Sequence, residues 1–201
     1  MLAYDASTGR ETWVFPFAER WGWIWDPAVN EEIICFVAEA YLEGLKDSDP
    51  FLYALDAFTG EEKWKLSPLE QQSFHKYSPI IVGDRVYIHS SFAHLGSMFL
   101  YAIDAETGTI LQEPKSIPMN FFFKQFISDE GFLYFQGEGY LHAFSLYNEV
   151  PREAWKINLR STRAIYYGPF VQDRVIYFST DNHLYAILNL TAPASSSQGT
   201  E

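Results

Sequence analysis

An all-β fold of repeated four-stranded units is what this sequence predicts, and three observations predict it. The chain repeats itself: residues 3–13 read A-x-D-x-x-T-G-x-x-x-W, residues 54–64 match at every fixed position, and residues 102–112 match at all but the last. The Asp column falls at 5, 56 and 104 and continues in degenerate form at Ser145 and Leu188, with spacings of 51, 48, 41 and 43 residues. Periods of roughly 40 to 50 residues belong to solenoids and propellers. Within each period the apolar runs are short and bounded by Gly, Asp or Asn, and helical periodicity is absent. The runs are also apolar on both faces, as Phe51-Leu52-Tyr53-Ala54-Leu55 is. A sheet covered on one side would alternate, so the sheets must stack face to face. The expected fold is an all-β propeller of four-stranded antiparallel blades.

The elements follow in order. Residues 1–16 form a partial blade whose last strand holds Thr12-Trp13-Val14-Phe15. Blades are expected at about 21–67, 77–116 and 124–159, a further partial blade at 167–190, and a disordered Ser-rich tail at 191–201. The third unit shows the pattern. Pro79-Ile80-Ile81-Val82 is its first strand, Gly83-Asp84 a turn, residues 85–89 the second strand, residues 99–103 the third, and Thr109 begins the fourth. The fifth repeats it at 169–171, 174–179 and 184–188. Thr12-Trp13-Val14-Phe15 could complete the last blade of a four-bladed ring, but residues 1–5 would then duplicate a strand already present. The chain is therefore expected to be part of a ring of about seven or eight blades, closed by further blades or by another chain.

Each motif residue has a physical reading. Asp5, Asp56 and Asp104 can accept hydrogen bonds from turn N–H groups. Gly9, Gly60 and Gly108 supply positive φ. Ala3, Ala54 and Ala102 leave room for a ring, and Trp13, Trp64 and Trp155 fill the gap between blades.

This motif, preceded by Leu-Tyr-Ala, resembles the tryptophan-docking repeat of the quinoprotein-type, pyrroloquinoline quinone (PQQ)-like β-propellers, and the resemblance spans almost the whole chain. It implies the fold. That family includes dehydrogenases that hold PQQ and calcium, and also members without a cofactor, such as a lipoprotein of outer-membrane assembly. It also implies an exported protein, periplasmic or extracellular. The N-terminus MLAYDASTGRETWVF has no signal-peptide features, so the chain taken literally is cytoplasmic.

Composition narrows the function. With 14 Lys+Arg against 26 Asp+Glu the net charge is −12, which argues against nucleic acid. No apolar run reaches the roughly 20 residues of a membrane helix. A hydrophobic content of 48% excludes a disordered chain. The single Cys35 can form neither an internal disulfide nor a multi-cysteine zinc site, and the five His residues show no metal spacing. No catalytic residue, metal site or bound cofactor is expected. The long acidic loop over 39–50 lacks calcium-loop spacing.

The loops opposite the Asp turns are the natural binding face. They hold Arg20, Trp21, Trp23 and Trp25; Phe74, His75, Lys76 and Tyr77; Phe121, Phe122, Phe123 and Lys124; and Arg163, Tyr166 and Tyr167. The competing reading has these aromatics wedging the blades and these cations solvated. The expected function is a non-enzymatic module that docks a protein or peptide on this aromatic face. The alternatives are part of a PQQ-dependent dehydrogenase and a propeller that binds sugars or other small ligands.

Overall fold

Each Asp-x-x-Thr-Gly segment closes a hairpin between an apolar strand and a strand carrying the Trp column. The structure, a computed structural model, describes residues 1–16, 22–40, 50–69, 72–74, 78–92, 98–117, 127–129, 131–137, 139–146, 151–159, 170–172, 175–179 and 183–188. The described residues are strand, turn and extended chain, without helix.

Five antiparallel sheets follow one another along the chain. The first pairs β1 (Leu2–Tyr4) with β2 (Glu11–Val14). The second contains β3 (Gly22–Ile24), β4 (Ala28–Val29), β5 (Ile33–Ala40), β6 (Phe51–Asp56) and β7 (Glu62–Leu66), with β3 and β4 both on the same flank of β5. The third contains β8 (Gln72–Ser73), β9 (Ile80–Val82), β10 (Arg85–Phe92), β11 (Met98–Asp104) and β12 (Lys115–Ile117), and β8 and β9 again share one partner, β10. The fourth runs β13 (Ile127–Asp129), β14 (Phe132–Gly137), β15 (Tyr140–Ser145), β16 (Arg152–Asn158). The fifth runs β17 (Phe170–Gln172), β18 (Val175–Ser179), β19 (Leu184–Leu188). These are three full blades flanked by two partial ones.

Three strands depart from the sequence expectation. The first strand of the second and of the third sheet is broken in two, and that of the third begins upstream of the expected blade, at Gln72. Pro27 lies in the first break and Pro79 in the second, and neither can donate to a ladder. The fourth strand of the third sheet is reduced to a bridge between Ile110 and Ile103 followed by β12. Pro114 interrupts it.

Consecutive sheets pack face to face. Met1, Trp13 and Phe15 of the first lie on Phe36, Tyr53 and Leu55 of the second. The opposite face of the second, with Cys35, Leu52, Ala54 and Trp64, packs on Phe74, Val86, Ile88, Tyr101 and Ile103 of the third. The third meets the fourth through Tyr87, Leu100, Leu133 and Phe144. The fourth meets the fifth through Tyr134, Leu141, Ile176 and Phe178. Every middle sheet is thus buried on both sides, which is why its strands lack a polar face.

The contact between sheets is specific. Trp13 lies over Gly60, so close that a Cβ added there would meet its ring at 2.5 Å, and its Nε1 donates to the Ala57 carbonyl at 3.2 Å. Trp64 repeats this on Gly108 and donates to the Ala105 carbonyl at 2.9 Å. The third sheet has Gln112 in the Trp column, and both amide atoms of that side chain are buried without a partner among the described residues. An unmet buried amide costs about 1–3 kcal/mol.

Gly60 and Gly108 have φ of 74° and 72°. Substituting Gly108→Ala adds left-handed strain and a clash with Trp64, and should cost about 3 kcal/mol by urea denaturation. Gly9→Ala, strained but unobstructed, should cost about 1 kcal/mol. Gln112→Leu should instead stabilise by about 1 kcal/mol, seen as a higher urea midpoint.

Candidate functional site

The Asp turns form one end of each sheet and are locked by their own hydrogen bonds. Asp5 Oδ1 accepts from Ser7 N at 3.0 Å and Thr8 N at 2.7 Å. Asp56 Oδ1 accepts from Phe58 N and Thr59 N at 2.9 and 2.8 Å. Asp104 Oδ1 accepts from Glu106 N and Thr107 N at 3.1 and 2.8 Å. The Gly9, Gly60 and Gly108 amides close the turns onto the Asp carbonyls at 2.7–2.9 Å. Hydroxyl and backbone donors around Asp5 hold its carboxyl down to about 2, and similar donors lower Asp56 and Asp104. A carboxylate held this way is a poor proton acceptor.

The Trp column is set by a bulge. The register shifts after Ala3, Ala54 and Ala143, so that each faces Trp13, Trp64 or Trp155 across the strand pair. The small side chain makes room for the indole of its own sheet. Ala102 keeps this column in the third sheet, where its carbonyl accepts from Leu111 N at 2.9 Å. Trp155 packs on the core shared by the fourth and fifth sheets, with its ring 5.8 Å from that of Tyr134.

Of the residues expected on the aromatic loop face, Arg20, Trp21, His75, Lys76, Tyr77, Lys124, Arg163, Tyr166 and Tyr167 lie outside the described residues, as do Phe121, Phe122 and Phe123. The others separate sharply. Trp23 lies within β3, opposite Glu39, and is 65% exposed. Ile24 beside it is also exposed. Trp25, read from sequence as a loop residue, packs against the core between the second and third sheets, and its N–H donates to the Val37 carbonyl at 3.0 Å. The break between β3 and β4 turns it inward. Phe74 is likewise a core residue, fully buried with its ring edge-on to Tyr101 at 5.1 Å. Sequence reasoning passed over Phe58, 78% exposed at the tip of an Asp turn. The apolar residue at the second position after Asp56, where Asp5 and Asp104 have Ser7 and Glu106, was its only signal.

Cys35, His89 and His142 are buried. Burial pushes the Cys35 thiol up to about 12 and the His89 imidazole down to about 3. His142 stands in the column of Tyr53, Tyr101 and Tyr185, with Nδ1 2.7 Å from Glu153 Oε1. Among the described residues no three His, Cys, Asp or Glu side chains converge, so they do not provide the donor set that calcium needs beside a quinone. The exposed apolar side chains of the described surface include Trp23 and Ile24 on one strand and Phe58 at a turn.

The family match agrees with this architecture. Residues 1–191 match the family described as outer membrane protein assembly factor BamB. Among solved structures, the crystal structure of HIRA(644-1017) is similar at 11% identity and a TM-score of 0.42, over 67% of this chain and 38% of that one. No curated protein matches the chain.

A pH dependence follows from His89. Its folded form stays neutral far below the usual 6.5, whereas the unfolded chain takes up a proton there. Stability should be full above pH 6.5 and fall below it by up to about 1.4 kcal/mol per pH unit. His89→Leu should flatten that limb in urea titrations run between pH 5 and 8.

Proposed function

This chain belongs to the family of the outer membrane protein assembly factor BamB, and on that premise we propose that it is a non-enzymatic docking module for an extended protein segment. The observation that carries this reading is Trp23. It stands 65% exposed on β3, an edge strand of the second sheet. Burying an indole would contribute several kcal/mol, yet the fold leaves this one in solvent beside exposed Ile24. Tryptophan is the residue type most enriched at binding hot spots. Among the described residues no strand pairs with the outer flank of β3, so a peptide can add there as a further strand.

The partner is an extended segment with alternating apolar side chains, the pattern of strands in outer-membrane barrels. The family name supports that class. The same reading places the protein outside the cytoplasm and has it work without a bound cofactor.

The test is binding to immobilised peptides of about ten residues with alternating apolar positions. Trp23→Ala should weaken binding by at least about tenfold while leaving the urea midpoint unchanged, because the ring is exposed. Equal binding by wild type and variant would sink the proposal. In a separate titration, PQQ with calcium should leave tryptophan fluorescence unquenched; saturable quenching would favour the dehydrogenase reading.

A further inference from the structure

At the Asp-turn end of the second sheet two turns meet, residues 30–32 between β4 and β5 and residues 57–61 between β6 and β7. Ala57 N joins them by donating to the Glu32 carbonyl at 3.0 Å. Asn30 Oδ1 fixes the first by accepting from Glu32 N and Ile33 N at 2.9 and 2.8 Å, and Asp56 fixes the second. Out of this hydrogen-bonded platform stands Phe58, 78% exposed. The first and third sheets cover both faces of the second, so this exposure is not that of a sheet face awaiting a neighbour.

The corresponding residues of the other two turns are occupied otherwise. Ser7 turns its hydroxyl back onto Asp5 Oδ1 at 2.7 Å. Glu106 takes a cation from the preceding sheet, with Lys63 Nζ 2.7 Å from its Oε2. The residue before Trp13 that corresponds to Lys63 is Thr12, so the first sheet brings no such cation to Phe58. The surroundings of the ring are acidic. Glu31 and Glu32 on one turn and Glu61 and Glu62 on the other are exposed, as are Asp84 and Glu106 at the same end of the third sheet. The cations described at this end of the two sheets, Lys63 and Arg85, are already paired, with Glu106 and Asp84.

We propose that the Asp-turn end of the second sheet, centred on Phe58, binds an arginine in a basic segment of another protein. The guanidinium lies on the phenyl face, and its N–H groups donate to the flanking glutamates. A planar cation suits this pairing of ring and carboxylates, because it stacks on an aromatic face while offering its donors at the edge. The carboxylates draw the basic segment in, and the ring fixes where its arginine rests. The two fixed turns hold the site before the partner arrives, which lowers the ordering cost. Trp23 lies at the opposite end of β5, where β3 pairs with residues 38–40, so the two surfaces are separate and either can fail without the other.

The probe is a capped peptide, Arg-Gly-Arg-Gly-Arg, titrated into the 15N-labelled full chain while amide resonances are followed. The Phe58 and Thr59 amides should shift saturably, and added salt should weaken the binding. The same peptide with citrulline for arginine, equal in shape but uncharged, should not shift them. Phe58→Ser, which copies the residue of the first turn, should weaken binding about fivefold without lowering the urea midpoint. The double variant Glu31→Gln and Glu32→Gln should also weaken it and reduce its salt dependence, whereas Trp23→Ala should leave it unchanged. No shift at Phe58, or equal binding by the citrulline peptide, overturns the proposal. Equal binding by Phe58→Ser also overturns it, by reducing the effect to unspecific attraction between charges. So does a Phe58 shift that appears on concentrating the protein alone with a doubling of mass, which would assign the surface to a second copy of this chain.

Discussion

The contact between an indole and a glycine of the next sheet sets the geometry on which the other features depend. A Trp buries about 200 Å², worth about 5 kcal/mol before ordering costs. That burial requires a backbone without a Cβ beneath the ring, which Gly60 and Gly108 provide. The glycine in turn requires a turn with positive φ, and the Asp carboxylate holds that turn by accepting two amides. The bulge after the Ala column then places the Trp opposite a methyl group rather than a bulkier neighbour. Four motif residues, Ala, Asp, Gly and Trp, thus serve one interface, which explains why they recur together.

This chain of dependence also explains what sequence can and cannot disclose. The motif columns are local in sequence, so the turns, the bulge partners and the stacking of sheets are legible from A-x-D-x-x-T-G-x-x-x-W alone. The first strands are not. Trp23 and Trp25 are two residues apart, and on an unbroken strand both would face the same way. The break before β4 sends one into solvent and the other into the core. That reversal depends on where β5 can pair, a non-local matter. Phe74 misleads for the same reason: it follows a two-residue strand in which Ser73 pairs with Ser91, eighteen positions on.

The interfaces are not equivalent. Between the second and third sheets, a cluster of twelve described buried residues includes Trp64. Between the third and fourth, five described residues form the cluster, Gln112 replaces the indole, and its amide lies unmatched. In a stack of repeats each unit contacts only its neighbours, and stability is close to a sum of such terms. His142 adds to the difference within the fourth sheet, where an imidazole and Glu153 take over a column that Tyr fills elsewhere.

Stacking of this kind has a direction. The first, second and fourth sheets each place a Trp on the sheet that follows, and the third has Gln112 in that column. The two flanks of the described stack are consequently different surfaces. That of the first sheet receives, with Gly9, Leu2 and Tyr4; that of the fifth offers, with Leu184 and Leu188 exposed in the columns of Leu52 and Asp56.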